Sequence, residues 1–248
     1  MTSKYHDLLL SFSLSLLFSS CFSAGPIAHY CGKGLNDTNG NTTLSSDISY
    51  VLADLVARAS AGGFAISSYG GVRSEKVYGL AQCRGDVDAR DCSACLADAA
   101  RRLPATCPGE GDARVWYDYC FARYEVGVDF AGAADFGLAT ILINTQNATN
   151  PEAFDAAAGT VMGRAAARAG GAGAGFGTEE ERFDAIDVTI YGLAQCTRDL
   201  RPLMCSQCLS SAVGMFREYC RFRQGCQVLY SSCIARYEIY PFYFPLDI

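Results

Sequence analysis

Tyr78-Gly79-Leu80-Ala81-Gln82-Cys83 opens a stretch that runs to Cys95 and is written a second time from Tyr191 to Cys208. Both copies continue as C-x8-C-x2-C: Cys83, Cys92, Cys95, then Cys196, Cys205, Cys208. Downstream, Cys107 and Cys120 recur as Cys220 and Cys233, and Ala122-Arg-Tyr-Glu125 recurs as Ala235-Arg-Tyr-Glu238. All these pairs are separated by one offset, without insertion or deletion. Each unit is roughly 110 residues, large enough for an independent domain, so the pattern is a tandem duplication rather than a solenoid of small repeats.

Outward from this repeat, Met1 to Ser23 reads as a signal peptide: Lys4 is the basic start, Leu8 to Phe18 the apolar run, and Cys21 and Ser23 the small residues before cleavage at Ala24. The run is shorter than the ~20 residues that span a bilayer, and no later segment is long and apolar enough. A secreted, extracellular product without a membrane span is expected. The boundaries read as 1–23 for the signal peptide, 24–130 for the first domain and 131–248 for the second.

The chain has 13 cysteines. Cys21 leaves with the signal peptide, so twelve remain. An even number in an exported chain reads as a disulfide framework. A C-x2-C pair is also half of a zinc site; export and the six internally pairable cysteines of the first copy weigh against it. Six cysteines allow 15 connectivities, among which sequence alone does not choose. The second copy departs from the first: Asn144 stands where Cys31 does, and Cys226 is new where the first copy has Ala113. A local Cys220–Cys226 bridge restores the balance. Net charge is −6, which argues against a nucleic-acid groove built on clustered Lys and Arg and against cationic membrane lysis. Arg101-Arg102 and Arg221-x-Arg223 read as solvated faces.

These motifs resemble the plant ginkbilobin-homologous, or stress-antifungal, domain. Two in tandem behind a signal peptide look like a cysteine-rich repeat secretory protein. The resemblance implies Cys31–Cys107, Cys83–Cys92 and Cys95–Cys120 in the first domain and, by repetition, Cys196–Cys205 and Cys208–Cys233 in the second. It implies a mannose-binding, antifungal role for some members, through an Asn after the first Cys, an Arg six residues before the last and a Glu five after it. Here these positions are Gly32, Arg114 and Glu125; in the second copy they are Thr145, Gln227 and Glu238. Two of three match in the first domain only. Arg114 shares a strand face with Trp116; with Glu125 nearby this could grip a sugar, but a surface ion pair beside a core Trp is the favoured reading.

The expected fold is α+β: each domain is an antiparallel sheet of about five strands with two helices on one face. In the first domain, Ile27–Tyr30 reads as an edge strand. A helix capped by Ser46 or Asp47 carries Ile48, Val51, Leu52, Leu55, Val56 and Ala59 on one face and ends at Gly62-Gly63. Strands follow over 64–69 and 76–83, a helix over 88–103 stopped by Pro104, and strands over 114–117 and 120–126. In the second, a strand is expected over 136–143, and a helix starts at Asn150-Pro151 with Asn150 as cap. Gly170 to Gly177 reads as a flexible connection and 183–196 as strand. A helix over 202–216 and strands over 227–240 close the domain. Asn36, Asn41 and Asn147 begin glycosylation sequons.

An enzyme is not expected. His6 and His29 are the two histidines, the first within the signal peptide. No nucleophile elbow, zinc-protease motif or P-loop appears, no cysteine is spare once twelve pair, and no metal or cofactor is called for. Paired carboxylates of the glycosidase kind remain the open catalytic alternative. Two binding readings stand: sugar recognition through the first domain, and an extracellular protein-interaction module for a receptor ectodomain or a cell-wall or plasmodesmal component.

Overall fold

The computed structural model describes residues 25–32, 34, 42–71, 75–171 and 174–245. The expected signal peptide and the sequon asparagines Asn36 and Asn41 lie outside them. The first unit runs β1 (Ala28–Cys31), α1 (Thr42–Gly62), β2 (Phe64–Tyr69), β3 (Val77–Cys83), α2 (Ala89–Thr106), β4 (Asp112–Trp116) and β5 (Cys120–Val126). The second repeats this as β6 (Thr140–Ile143), α3 (Pro151–Gly170), β7 (Phe176–Phe183), β8 (Val188–Cys196), α4 (Pro202–Tyr219), β9 (Cys226–Leu229) and β10 (Cys233–Glu238). Two antiparallel five-stranded sheets result, ordered β1-β4-β5-β3-β2 and β6-β9-β10-β8-β7. Among the described residues, no helix is long and apolar enough to cross a membrane.

Each sheet carries its two helices on one face. Val51, Leu52 and Leu55 of α1 and Leu96, Ala99 and Leu103 of α2 close over Val77, Ala81, Val115, Ala122 and Tyr124. The motif glycine exists for this packing: a Cβ at Gly79 would lie 2.5 Å from Val51 Cγ1 and 2.8 Å from Leu55 Cδ1, and one at Gly192 would lie 2.6 Å from Val161 Cγ1. Asp88 starts α2 by accepting from Asp91 N at 2.8 Å. Cys92 and Cys95, three apart and buried, reach two neighbouring strand ends, for Cys83 and Cys120 are register partners. Six disulfides are formed: Cys31–Cys107, Cys83–Cys92, Cys95–Cys120, Cys196–Cys205, Cys208–Cys233 and Cys220–Cys226.

Several elements differ from their expected bounds. α1 begins at Thr42, so Ser46 and Asp47 lie inside it rather than capping it. Pro104 does not stop α2; it sits in the last turn, where a missing donor removes one bond near an end that frays anyway. Asn150 precedes Pro151 as expected, but it is left-handed (φ 55°) and its side chain makes no cap bond. Only Thr140–Ile143 of the 136–143 stretch pairs as strand. The glycine-rich 170–177 connection gives way to β7 at Phe176, and a 3-10 turn, Asp184–Ile186, separates β7 from β8.

The other face of each sheet is covered by the other unit. Leu80, Trp116, Phe121 and Phe130 pack with Leu229, joined by Leu142 and Ile234. Trp116 Nε1 donates to Tyr230 O at 3.2 Å, and Arg236 Nη1 to Asp118 at 3.1 Å. The chain end returns to the first unit: Phe244 N donates to Asp86 Oδ2 at 2.7 Å and its ring lies 5.7 Å from Tyr119.

Candidate functional site

The outer face of β4 and β5 holds the residues the resemblance singled out. Alternation along β4 sends Ala113 and Val115 to the helices and Asp112, Arg114 and Trp116 outward; on β5, Phe121, Arg123 and Glu125 face the same way. The register sets Asp112 opposite Glu125 and Arg114 opposite Arg123, while β1 sets Tyr30 beside Arg114. Two like charges thus stand side by side, an arrangement that is destabilising unless anions intervene.

Three carboxylates intervene. Asp112 takes Arg114 with both oxygens, at 3.0 Å from Nε and 2.7 Å from Nη2, the bidentate geometry a guanidinium favours. Glu125 takes Arg123 Nη2 at 2.8 Å. Asp135, from the segment joining the units, accepts from Arg114 Nη1 at 2.6 Å and Arg123 Nη1 at 3.5 Å. Ser231 Oγ of the second unit also accepts from Arg114 Nη1. Aromatic rings cover both cations: Tyr30 at 5.2 Å from Arg114 and Phe130 at 3.8 Å from Arg123. Arg114 is 7 % exposed and Arg123 2 %.

The electrostatics follow from this crowding. Burial, then the charge of Arg114, pulls the Arg123 pKa down. Burial also opposes the Arg114 cation, but the hydrogen bond and charge of Asp112 outweigh it and the net shift is upward. Burial, and then Asp112, lifts the Glu125 carboxyl above its ordinary range.

Gly32, Arg114 and Glu125 are brought together around Asp112: Gly32 N donates to Asp112 O at 2.8 Å. They do not form an open triad. A Cβ at Gly32 would lie 2.7 Å from Tyr30 Cε1 and 3.1 Å from Asp112 Cβ, so the space for an Asn side chain is filled. Arg114 spends its donors on Asp112, Asp135 and Ser231, and Glu125 is held by Arg123. The sequence reading missed Arg123, Asp112, Asp135 and Ser231. Strand alternation could have supplied the first two; the last two come from outside the domain's strands. In the second unit, Gln227 stands opposite Arg236, and Glu238 accepts from Arg236 Nε at 3.1 Å while its other oxygen has no partner among the described residues.

Comparison with known proteins bears on what this arrangement belongs to. The family described as salt stress response/antifungal matches residues 30–127 and 143–240. The chain is 42 % identical over 242 residues to cysteine-rich repeat secretory protein 55 of Arabidopsis thaliana, covering 95 % of this chain and 90 % of that protein. It is 33 % identical over 243 residues to an antimicrobial ginkbilobin-2-like protein of Castanea crenata, covering 98 % of each. Among solved structures it resembles the tandem DUF26 ectodomain of the Arabidopsis thaliana cysteine-rich receptor-like protein PDLP8, with a TM-score of 0.77 and 26 % identity over 87 % of this chain and 98 % of that one.

Proposed function

The chain belongs to the salt stress response/antifungal family, with one family domain in each half, and from that premise we propose that it acts outside the cell as a non-catalytic recognition protein whose ligand is another protein. The fate of Arg114 carries this reading. In a sugar site its guanidinium would meet hydroxyls; here it is buried, bonded to two carboxylates and to the second unit. Freeing it for a sugar would leave the buried Asp112 carboxylate short of its cation, which is costly. All twelve cysteines outside the expected signal peptide are in disulfides, so none is free as a nucleophile.

The relatives point the same way. One bears the name of a secretory protein, another of an antimicrobial one, and a third is a receptor-like ectodomain. A defence role at the cell exterior, in the apoplast of a plant, fits all three. Mannose recognition through Gly32, Arg114 and Glu125 is the second reading. It is favoured by the two family positions that match and by Glu125, whose side chain keeps 20 % exposure.

Two measurements separate the readings. In the first, mannose is titrated to millimolar concentration into wild type and Arg114→Ala; in the second, the protein is applied to an array of purified extracellular receptor domains. A saturable ectodomain interaction untouched by mannose is expected. Mannose binding that vanishes in Arg114→Ala, with a blank array, would establish the sugar reading instead.

A further inference from the structure

Two glycines open a groove on the helical face of the second unit. Gly159 of α3 and Gly214 of α4 both line it, and a Cβ at either would meet nothing within 4 Å. Glycine destabilises an exposed helix interior relative to alanine, and no close packing offsets that here. The groove between the helices holds about 630 Å³, within the range of ligand clefts. Ala158, Val213 and Phe216 give it an apolar floor.

Arg217 and Arg221 also line the groove, and among the described residues no carboxylate lies within ion-pair distance of either. Ten of the sixteen described arginines are paired with one, and Arg90, Arg198, Arg201 and Arg223 share the unpaired state. The C-terminal end of α4 favours a cation at Arg217, but Arg221 lies beyond the Cys220 cap and rests on the Phe222 ring at 4.6 Å. Asp155 is the acidic residue lining the groove, and its Oδ1 is occupied by Phe222 N at 3.0 Å. In a chain of net charge −6, this leaves a locally cationic, apolar groove.

We propose that this groove receives an acidic, amphipathic peptide segment of an extracellular partner, a proposal that rests on the protein-binding reading above. Apolar side chains of the segment lie on Ala158, Val213 and Phe216, Gly159 and Gly214 admit its backbone closely, and its carboxylates meet Arg217 and Arg221. This is the helix-in-groove mode of recognition. A saccharide fits less well: beside the arginines the groove offers Ser210, Asp155 and Tyr237, the Tyr237 hydroxyl already bonds the Cys220 and Arg223 carbonyls, and sugar hydroxyls against the apolar floor would go unpaired.

The test pans a phage-displayed random dodecapeptide library on the full-length secreted protein. Enriched peptides are then titrated by fluorescence anisotropy against wild type, Gly214→Leu and the double variant Arg217→Glu/Arg221→Glu. Gly214→Ala serves as the folding control and is expected to melt at or above the wild-type temperature. Enriched peptides should combine Asp or Glu with apolar residues, weaken with salt, and bind each groove variant at least tenfold more weakly. Peptides that bind both variants as they bind wild type would overturn the groove while leaving protein binding intact. A library that yields no groove-dependent binder, or an acidic oligogalacturonate that binds the groove where peptides do not, overturns it too; with a blank ectodomain array, either result takes the protein-binding reading down as well.

Discussion

Gln82 and Gln195 occupy the same position of the repeated motif and make the same pair of bonds in opposite directions. Gln82 Nε2 donates to Cys196 O at 2.8 Å, and its Oε1 accepts from Arg198 N at 2.8 Å. Gln195 Nε2 donates to Cys83 O at 2.9 Å, and its Oε1 accepts from Gly85 N at 3.2 Å. Each glutamine therefore satisfies the chain just past the end of the other unit's motif strand. A cavity of about 40 Å³ beside them is lined by matching positions of the two units, among them Tyr117 with Tyr230 and Trp116 with Leu229. The duplication is thus expressed as a reciprocal clasp, and the motif's Gln is an interface residue.

Removing one half of the clasp should destabilise the whole protein. Gln82→Leu leaves the buried Cys196 O, and the part-buried Arg198 N, without their partner, and an unsatisfied buried group costs about 1–3 kcal/mol. A loss of about 2 kcal/mol or more in urea unfolding is expected for Gln82→Leu and for Gln195→Leu. A loss below about 0.5 kcal/mol, the size of an ordinary surface change, would mean that water replaces the amide.

The repeat, the cysteine spacing and the helical stripe made the α+β fold with two helices per sheet legible in the sequence. What alternation could not reveal is what covers a strand's charged face. Arg114 reads as a sugar-gripping or surface ion-pair residue, yet the second unit's Ser231 and the connecting Asp135 close over it, and Glu125 is held by Arg123. β7 was hidden for another reason. Its Gly177 and run of Glu lack apolar alternation and resemble a linker, but a Cβ at Gly177 would lie 2.4 Å from Ala165 O and 2.8 Å from Ala169 N. The glycine lets helix and strand touch, a tertiary demand invisible in local pattern. The glutamates serve arginines on the same helix: Glu179 pairs with Arg168 at 2.6 Å and Glu181 with Arg164 at 2.9 Å.

Glu125 should give the protein a pH dependence of unusual sign for a carboxylate. Burial, then Asp112, raises its folded pKa above the ordinary 4.5, so the folded state binds the proton more tightly than the unfolded one. Its contribution is greatest below 4.5 and declines as pH rises through the window up to the raised value. Asp98 acts oppositely: burial raises it, but bonds from Tyr117, Arg101 and Arg102 prevail and its pKa falls below 3.8, so its stabilisation is lost only as pH drops under that. Glu125 should therefore contribute a fall in stability as pH rises above 4.5. Urea midpoints at pH 4.5 and 7 should differ less in Glu125→Gln than in wild type; an unchanged difference would assign the slope elsewhere.

The two units should also differ in how much their unmatched disulfides contribute. Cys31–Cys107 spans 76 positions and Cys220–Cys226 spans 6. On a chain-entropy account these loops are worth about 4.5 and about 2.4 kcal/mol. Other bridges overlap the longer loop, so the order is the firmer expectation: Cys31→Ala/Cys107→Ala should melt lower than Cys220→Ala/Cys226→Ala. At Asn144, where the second unit lacks its counterpart of Cys31, a polar turn replaces the covalent tie. Asn144 N donates to Gly225 O at 3.0 Å and Oδ1 accepts from Gln146 N at 2.9 Å. Equal or reversed melting temperatures would show that native-state packing, rather than loop length, decides.

Asn147 should carry a glycan when the protein is secreted from a eukaryotic host. It begins the Asn147-Ala148-Thr149 sequon and is exposed. Its neighbour Ala148 is anchored by a bond from its N to Phe222 O at 2.8 Å. Arg223 Nη1 donates to Asn147 Oδ1 at 2.9 Å and to Thr145 O at 3.0 Å. The carbonyl end of the side-chain amide is therefore held by Arg223, and the nitrogen that a glycan modifies is the other end. Attachment there keeps the Arg223 bond, because N-linked glycosylation preserves the amide oxygen. Since Asn36 and Asn41 also begin sequons, the measurement uses an Asn36→Gln/Asn41→Gln background. Intact mass of the secreted protein should fall by one glycan on enzymatic deglycosylation, and adding Asn147→Gln should abolish that fall. A background protein whose mass does not change would show either that the chain is not exported by this route or that the Arg223 contact holds Asn147 out of the transferase's reach; Arg223→Ala restoring the glycan would select the second.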